Sequence, residues 1–267
     1  MRRSNRRPTA FVTLATNHGS MLVNRHDYHI LPDGRGAYGV GHQLLGASCF
    51  DQGEVDFAVQ MLDARRKNFG DGVVGIDCGA NIGVHTIEWA QHMHGWGSVI
   101  AFEAQERIFY ALAGNITMNN CFNARALWAA VGQEAGSIRV PIPNYFQPGS
   151  FGSLEIRKTA RTEFIGQQID YSEDKMQLTQ MIAIDDLQLK RVDFVKIDIE
   201  AMEMDALMGG KKTIYECKPQ LLIERIKTNE GDILKFVQDA GYKTFPMGGN
   251  LLAIHSSDPV SAQIKVS

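Results

Sequence analysis

GIDCGANIGVHTIEWA, residues 75–90, sets the reading of the whole chain. With Val73 and Val74 in front of it, the stretch starts as a short apolar strand that ends on Asp77. Gly79 and Gly83 then bracket a turn, and residues 83–93 carry a helical pattern. A carboxylate at the end of a buried strand is costly unless something pairs with it. Glycines in such a turn let backbone approach a ligand closely and accept positive φ. Strand, glycine turn and helix N-terminus together describe a ligand cradle at the carboxyl edge of a sheet.

The alternation continues outward. SVIAFE (98–103) is a strand, residues 106–119 a helix and ARALWAAVG (124–132) the next strand. VDFVKIDIE (192–200), a helix over 203–216, PQLLIERI (219–226) and a helix over 231–240 follow. KTFPMGGNLLAIH (243–255) closes as a hairpin through Gly248-Gly249-Asn250. Near-continuous apolar strands between helices predict a parallel sheet covered on both faces. We therefore expect an α/β, Rossmann-like domain over 51–267 with a mostly parallel seven-stranded sheet and a terminal antiparallel hairpin. Residues 133–180, polar and glycine-containing, read as an insertion with short strands or loops at IRVPI, SLEI and TEFIG. Residues 1–50, rich in Gly and His, read as an irregular N-terminal extension that wraps over this domain. Residues 50–70 read as a helix, with Asp51 as N-cap and Glu54 completing a capping box.

Composition excludes several classes. At 267 residues, 44% hydrophobic and 21% charged, the chain can bury a core without disulfides or metal. Net charge is −3, and four arginines stand in the first seven residues, so the body is more acidic still. That balance gives no support to a nucleic-acid partner; the run MRRSNRR reads as a solvated tail or an arm for an anionic partner. Cys49, Cys78, Cys121 and Cys217 show no CxxC pairing and read as reduced thiols of a cytoplasmic protein. No run approaches a membrane span. No histidine spacing supported by carboxylates signals a metal.

Two ligand classes suit the cradle. Glu103 ends the second strand about 20 positions after Gly83, where a carboxylate accepts both hydroxyls of an adenosine ribose. A nicotinamide dinucleotide would put its pyrophosphate on the turn, where Asp77 repels it, and the turn reads GANIG rather than GxGxxG. S-adenosylmethionine brings an ammonium and a sulfonium, which a carboxylate at Asp77 suits. Asp77 serving only to cap turn amides is the plain structural alternative.

IDCGANIGVHT, AFEA, NITMNN, IDDL, VKIDIE and LLIE, in this order, resemble the FkbM family of S-adenosylmethionine-dependent methyltransferases over residues 51–255. The resemblance implies a class I methyltransferase fold and methyl transfer to a hydroxyl of a small molecule or glycan. It implies that Asp77, Gly79, Asn81 and Gly83 line the methionine side of the donor, that Glu103 holds the ribose, and that Trp128, Ala129 and Ala130 lie near the adenine; Trp128 as plain core is the alternative. The chain departs from the family pattern at Ala201 and Met202, where a Gly is usual, and at Ala104, where a Pro is usual. A nucleic-acid methyltransferase is disfavoured by the acidic body and the lack of an NPPY-like turn, a nicotinamide oxidoreductase by Asp77.

Methyl transfer needs an acceptor lone pair aligned with the methyl and a group that takes the hydroxyl proton. Asp198 and Glu200 end the fourth strand, on one side of it by alternation, and Glu224 ends the fifth. We expect Asp198 to orient or deprotonate the acceptor, with Glu200 or Glu224 assisting. Lys196 stands two positions before Asp198, and His85 faces either the site or solvent. The segment 144–156 (NYFQPGSFGSLEI) carries residues suited to stacking on a sugar, or is a surface loop.

Overall fold

The computed structural model of the chain describes residues 8–31, 34 and 36–264. The arginine-rich run at 1–7 lies outside them. The N-terminal segment is not irregular. β1 (Phe11–Thr16) and β2 (Gly19–Asn24) form an antiparallel hairpin, β3 (His29–Ile30) pairs β4 (Ala37–Tyr38), and α1 (Val40–Ala47) follows. These elements pack onto the body through buried polar contacts that a sequence does not advertise. Asn115 takes the amide of Leu22 at 2.5 Å and gives its Nδ2 to the carbonyl of Ile82 at 2.7 Å. Asp27, 3% exposed, accepts the amides of Gly41 and Phe151, both at 3.0 Å.

α2 (Gln52–Phe69) leads into β5 (Val73–Cys78), α3 (Val84–His92), β6 (Gly97–Glu103), α4 (Glu106–Met118) and β7 (Ala124–Trp128). The expected third strand does not run through to Gly132. It breaks after Trp128, and β8 (Ala130–Val131) joins a second, three-stranded sheet with β9 (Gly136–Pro141) and β10 (Met176–Ile182). IRVPI thus contributes a strand of the insertion, whereas SLEI and TEFIG remain coil or 3-10 turn. β11 (Phe194–Ile197), α5 (Glu203–Gly209), α6 (Lys211–Cys217), β12 (Gln220–Glu224), α7 (Glu230–Asp239), β13 (Tyr242–Met247) and β14 (Asn250–His255) complete the chain. The single helix expected over 203–216 is two, parted at Gly210.

The main sheet has seven strands in the order β13-β14-β12-β11-β5-β6-β7. β12, β11, β5, β6 and β7 are parallel, and β14 runs antiparallel between β12 and β13. This is the Rossmann-like α/β fold expected above, a mostly parallel seven-stranded sheet with a terminal antiparallel hairpin. Side chains alternate between two apolar layers as strand geometry requires. Phe194 and Leu222 pack with α2 and α3, while Val195, Ile197, Leu221 and Ile223 pack with α5, α6 and α7. Asp77 and Lys196 are register partners on β5 and β11. At the opposite edge Arg65 of α2, 5% exposed, ties Asp193 at 3.1 Å to Asp258 at 2.9 Å. None of the helices among the described residues is long and apolar enough to cross a membrane.

Candidate active site

The carboxyl ends of β5, β6, β11 and β12 open into a cavity of about 420 Å³, within the size range of small-molecule sites. One side of it is built from residues 75–90. Gly79 has φ 82°, and a Cβ there would lie 1.8 Å from the carbonyl oxygen of Asp198, so only glycine lets β5 and β11 close together. Asn81 is also left-handed, with φ 51°, and its amide reaches Glu103 at 3.0 Å. The amide of Gln105 reaches the other Glu103 oxygen at 2.8 Å. Burial lifts the Glu103 carboxyl to about 7 against the pull of those two amides.

Asp77 is 1% exposed. Its Oδ2 accepts the Thr86 hydroxyl at 2.6 Å, and its Oδ1 is buried with no hydrogen-bond partner. Asp77, Gly79, Asn81, Glu103 and Ala129 line the cavity, as does Ala130. Gly83 and Trp128 do not. Gly83 caps α3 with φ 94°, where a Cβ would strike Leu112 at 2.6 Å. Trp128 turns away, donating its indole N–H to the carbonyl of Ala104 at 3.1 Å and stacking on Phe109.

The other half of the cavity holds the acids expected to meet the acceptor. Strand parity is not what gathers them, because β11 ends at Ile197. Asp198 and Glu200 stand on the loop that follows, where Glu200 (φ 54°) and Ala201 (φ 74°) both take left-handed backbone. Such a turn costs about 1–2 kcal/mol per non-glycine residue. Side chains hold it: Glu203 accepts the amides of Ile199 and Ala201, and Lys227 pairs Glu200 at 2.6 Å. This is how the chain does without the glycine usual at this turn. Lys227 also reaches Glu163 of the insertion at 2.8 Å, and Glu163 accepts the Tyr38 hydroxyl at 2.6 Å.

Asp198, Glu200 and Glu224 each bring an oxygen within 4.8 Å of the others, a grouping no histidine-centred search of the sequence could find. That spacing suits a shared proton, hydroxyls of a ligand or a divalent cation. Two of the three charges are already met by lysine, Asp198 by Lys196 at 2.7 Å and Glu200 by Lys227. Glu224 has a buried Oε2 with no partner, and burial together with the charge of Asp198 lifts its carboxyl to about 8. Burial also raises Glu200, reinforced by Glu224 and Asp198.

Further lining residues come from outside the Rossmann-like core. Tyr38, Val40, Gln43, Phe50 and Asp51 of the N-terminal region wall the cavity. Asp51 and Glu54 form no capping box: no side-chain cap bond is made, and Glu54 instead enters the cavity, accepting Asn250 at 2.6 Å. From 144–156, Ser150, Gly152, Ser153, Leu154 and Ile156 reach the cavity, whereas Tyr145 bonds Gln105 and Phe151 is wholly buried.

The Methyltransferase FkbM domain matches residues 77–244, more than half of the chain. The chain belongs to the FkbM methyltransferase family. A curated relative, Methyltransferase 1 of Beauveria bassiana (strain ARSEF 2860), is 27% identical over 160 residues, which is 56% of this chain and 63% of the relative. The match thus spans somewhat under two thirds of that relative's length. Among solved structures, Methyltransferase FkbM from Methylobacillus flagellatus KT is similar with TM-score 0.46 and 21% identity, over 69% of this chain and 43% of that one. SMU.1697c of Streptococcus mutans, a putative methyltransferase solved in complex with SAH, is similar with TM-score 0.43 and 12% identity, over 76% of this chain and 96% of that one.

Proposed function

We propose that this FkbM-family methyltransferase transfers a methyl group from S-adenosylmethionine to a hydroxyl of a small molecule or glycan. The observation that carries the reading is the buried Oδ1 of Asp77, an acceptor with no protein partner on a residue that lines the cavity of about 420 Å³. An ammonium pairs with it; a pyrophosphate is repelled by it. Gly79 leaves the backbone bare where an amino-acid arm would lie, and Glu103 keeps lone pairs free for ribose hydroxyls beyond the two amides it accepts. The donor supplies an electrophilic methyl on a sulfonium. The chain's part is to hold, orient and shield. Asp198 orients the acceptor hydroxyl, with Glu200 or Glu224 assisting; Asp198 and Glu200, fixed by Lys196 and Lys227, accept hydrogen bonds from neighbouring hydroxyls without moving. Ala129 and Ala130 lie against the adenine side. The net charge of −3 gives no support to a nucleic-acid acceptor, whose phosphates an acidic body repels.

Labelled S-adenosylmethionine with a panel of methyl glycosides and hydroxylated small molecules tests this. Asp198→Asn should lower transfer at least ~100-fold, the lower range for losing acid–base or positioning help, while S-adenosylhomocysteine still binds. Transfer to an oligonucleotide and to none of the panel would overturn the acceptor class; failure of S-adenosylhomocysteine to bind the wild-type protein would overturn the donor.

A further inference from the structure

Among the described residues His85 is the one buried imidazole in the cavity lining, and the roles above leave it unused. It occupies the first turn of α3, is 5% exposed, and lines the same cavity as Asp198 and Glu224. Its Nε2 lies 3.2 Å from Oε1 of Glu54, a charge contact rather than a hydrogen bond, and both ring nitrogens are buried without a hydrogen-bond partner. The other oxygen of Glu54 accepts the Asn250 amide at 2.6 Å, and Asn250 is the register partner of Glu224 on β14. The Trp89 ring meets the imidazole edge-on at 5.6 Å. A ring fixed by packing, backed by a carboxylate that is itself held by an amide, has the layout of a general base with its orienting groups. A buried imidazole with an open nitrogen needs a partner, and the cavity is where that partner arrives.

Resting on the methyl-transfer reading, we propose that His85, oriented by Glu54 and Asn250, is the residue that takes the acceptor's hydroxyl proton. The acceptor oxygen bonds to the methyl carbon, the carbon–sulfur pair leaves with sulfur as the neutral thioether, and the hydroxyl proton passes to Nδ1. The imidazolium so formed is stabilised by Glu54. Burial pushes the Glu54 carboxyl up, but the contact with His85 and the charge of Lys196 bring it below its ordinary value, so it is ionised when needed. Glu54 of α2 stands against the imidazole, and the other titratable side chains of the cavity lining are Tyr38, Asp51, Asp77, Glu103, Lys196, Asp198, Glu200 and Glu224. Asp198, Glu200 and Glu224 then serve to grip the hydroxyls, and His85 accepts the proton.

Three measurements on the full chain test this. Calorimetry with S-adenosylhomocysteine on wild type and His85→Gln should give dissociation constants within about threefold. Loss of more than tenfold would make His85 a holder of the donor's carboxylate and overturn the proposal. Transfer from labelled S-adenosylmethionine to the methyl glycoside panel, followed from pH 6 to 9, should fall ~100-fold in His85→Gln and lose its acidic limb. Glu54→Gln, which leaves the ring in place, should fall less and keep donor affinity. A variant that retains rate and limb refutes the role. ¹⁵N signals of the imidazole need no acceptor: in the complex with S-adenosylhomocysteine they should show one bare and one protonated nitrogen. A ring locked doubly protonated by the complex would refute it. If the panel takes no label from wild type, the acceptor class fails and these signals alone decide His85.

Discussion

Asp77→Asn isolates the pairing proposed between Asp77 and the donor's ammonium. The amide keeps the volume and can still accept the Thr86 hydroxyl, which now sits 2.6 Å from Oδ2. It then turns an N–H pair toward the cavity where the unpartnered Oδ1 stands. A hydrogen bond to a charged group contributes about 1.5–3 kcal/mol, and each 1.4 kcal/mol is tenfold in affinity. The dissociation constant of S-adenosylhomocysteine should therefore rise by about 10–150-fold, read by isothermal titration calorimetry at low salt. 5′-Methylthioadenosine, which has the adenosine and the sulfur but no ammonium, should bind both proteins alike. An unchanged constant for S-adenosylhomocysteine would sink the pairing. Equal weakening of both ligands would show that Asp77 shapes the turn and does not meet the ammonium.

Gly79→Ala should abolish donor binding and lower stability by at least about 2 kcal/mol, since positive φ alone costs about 1–2 and a Cβ 1.8 Å from the Asp198 carbonyl must also part β5 from β11; a variant with wild-type urea midpoint and affinity would contradict the geometry. Arg65→Met leaves the buried Asp258 without its cation and Asp193 with only Arg191, and should cost about 3 kcal/mol in urea unfolding, the low end for breaking a buried pair. Glu103 carries a raised carboxyl, about 7 against 4.5: the folded chain holds a proton that the unfolded chain has released, so its contribution is full below pH 4.5 and is lost as pH rises to about 7. Thermal melts of wild type across that window should fall more steeply than those of Glu103→Gln; parallel curves would count against a raised carboxyl.

The sequence by itself determined the seven-stranded α/β sheet, because apolar strands of β5, β6, β11 and β12 and the glycine turn at 79–83 are local patterns that burial and backbone sterics read in only one way. Spacing alone also carried Asp77 and Glu103 to one edge, since parallel strands present their carboxyl ends together. What it could not give depends on contacts between residues far apart in the chain. Trp128 carries no sign of turning toward Ala104, nor does Glu54 of preferring Asn250, 196 positions away, over its own helix cap. Asp198, Glu200 and Glu224 do converge, but through a left-handed turn held by Glu203 and Lys227 rather than by strand alternation. The wall supplied by Tyr38, Val40 and Phe50 follows from the packing of the N-terminal segment, through Asp27 and Asn115, against the body. Local periodicity fixes which face of an element is apolar; only the close packing of distant segments decides which polar groups find partners, and which, like Asp77 Oδ1 and the ring nitrogens of His85, are left without one.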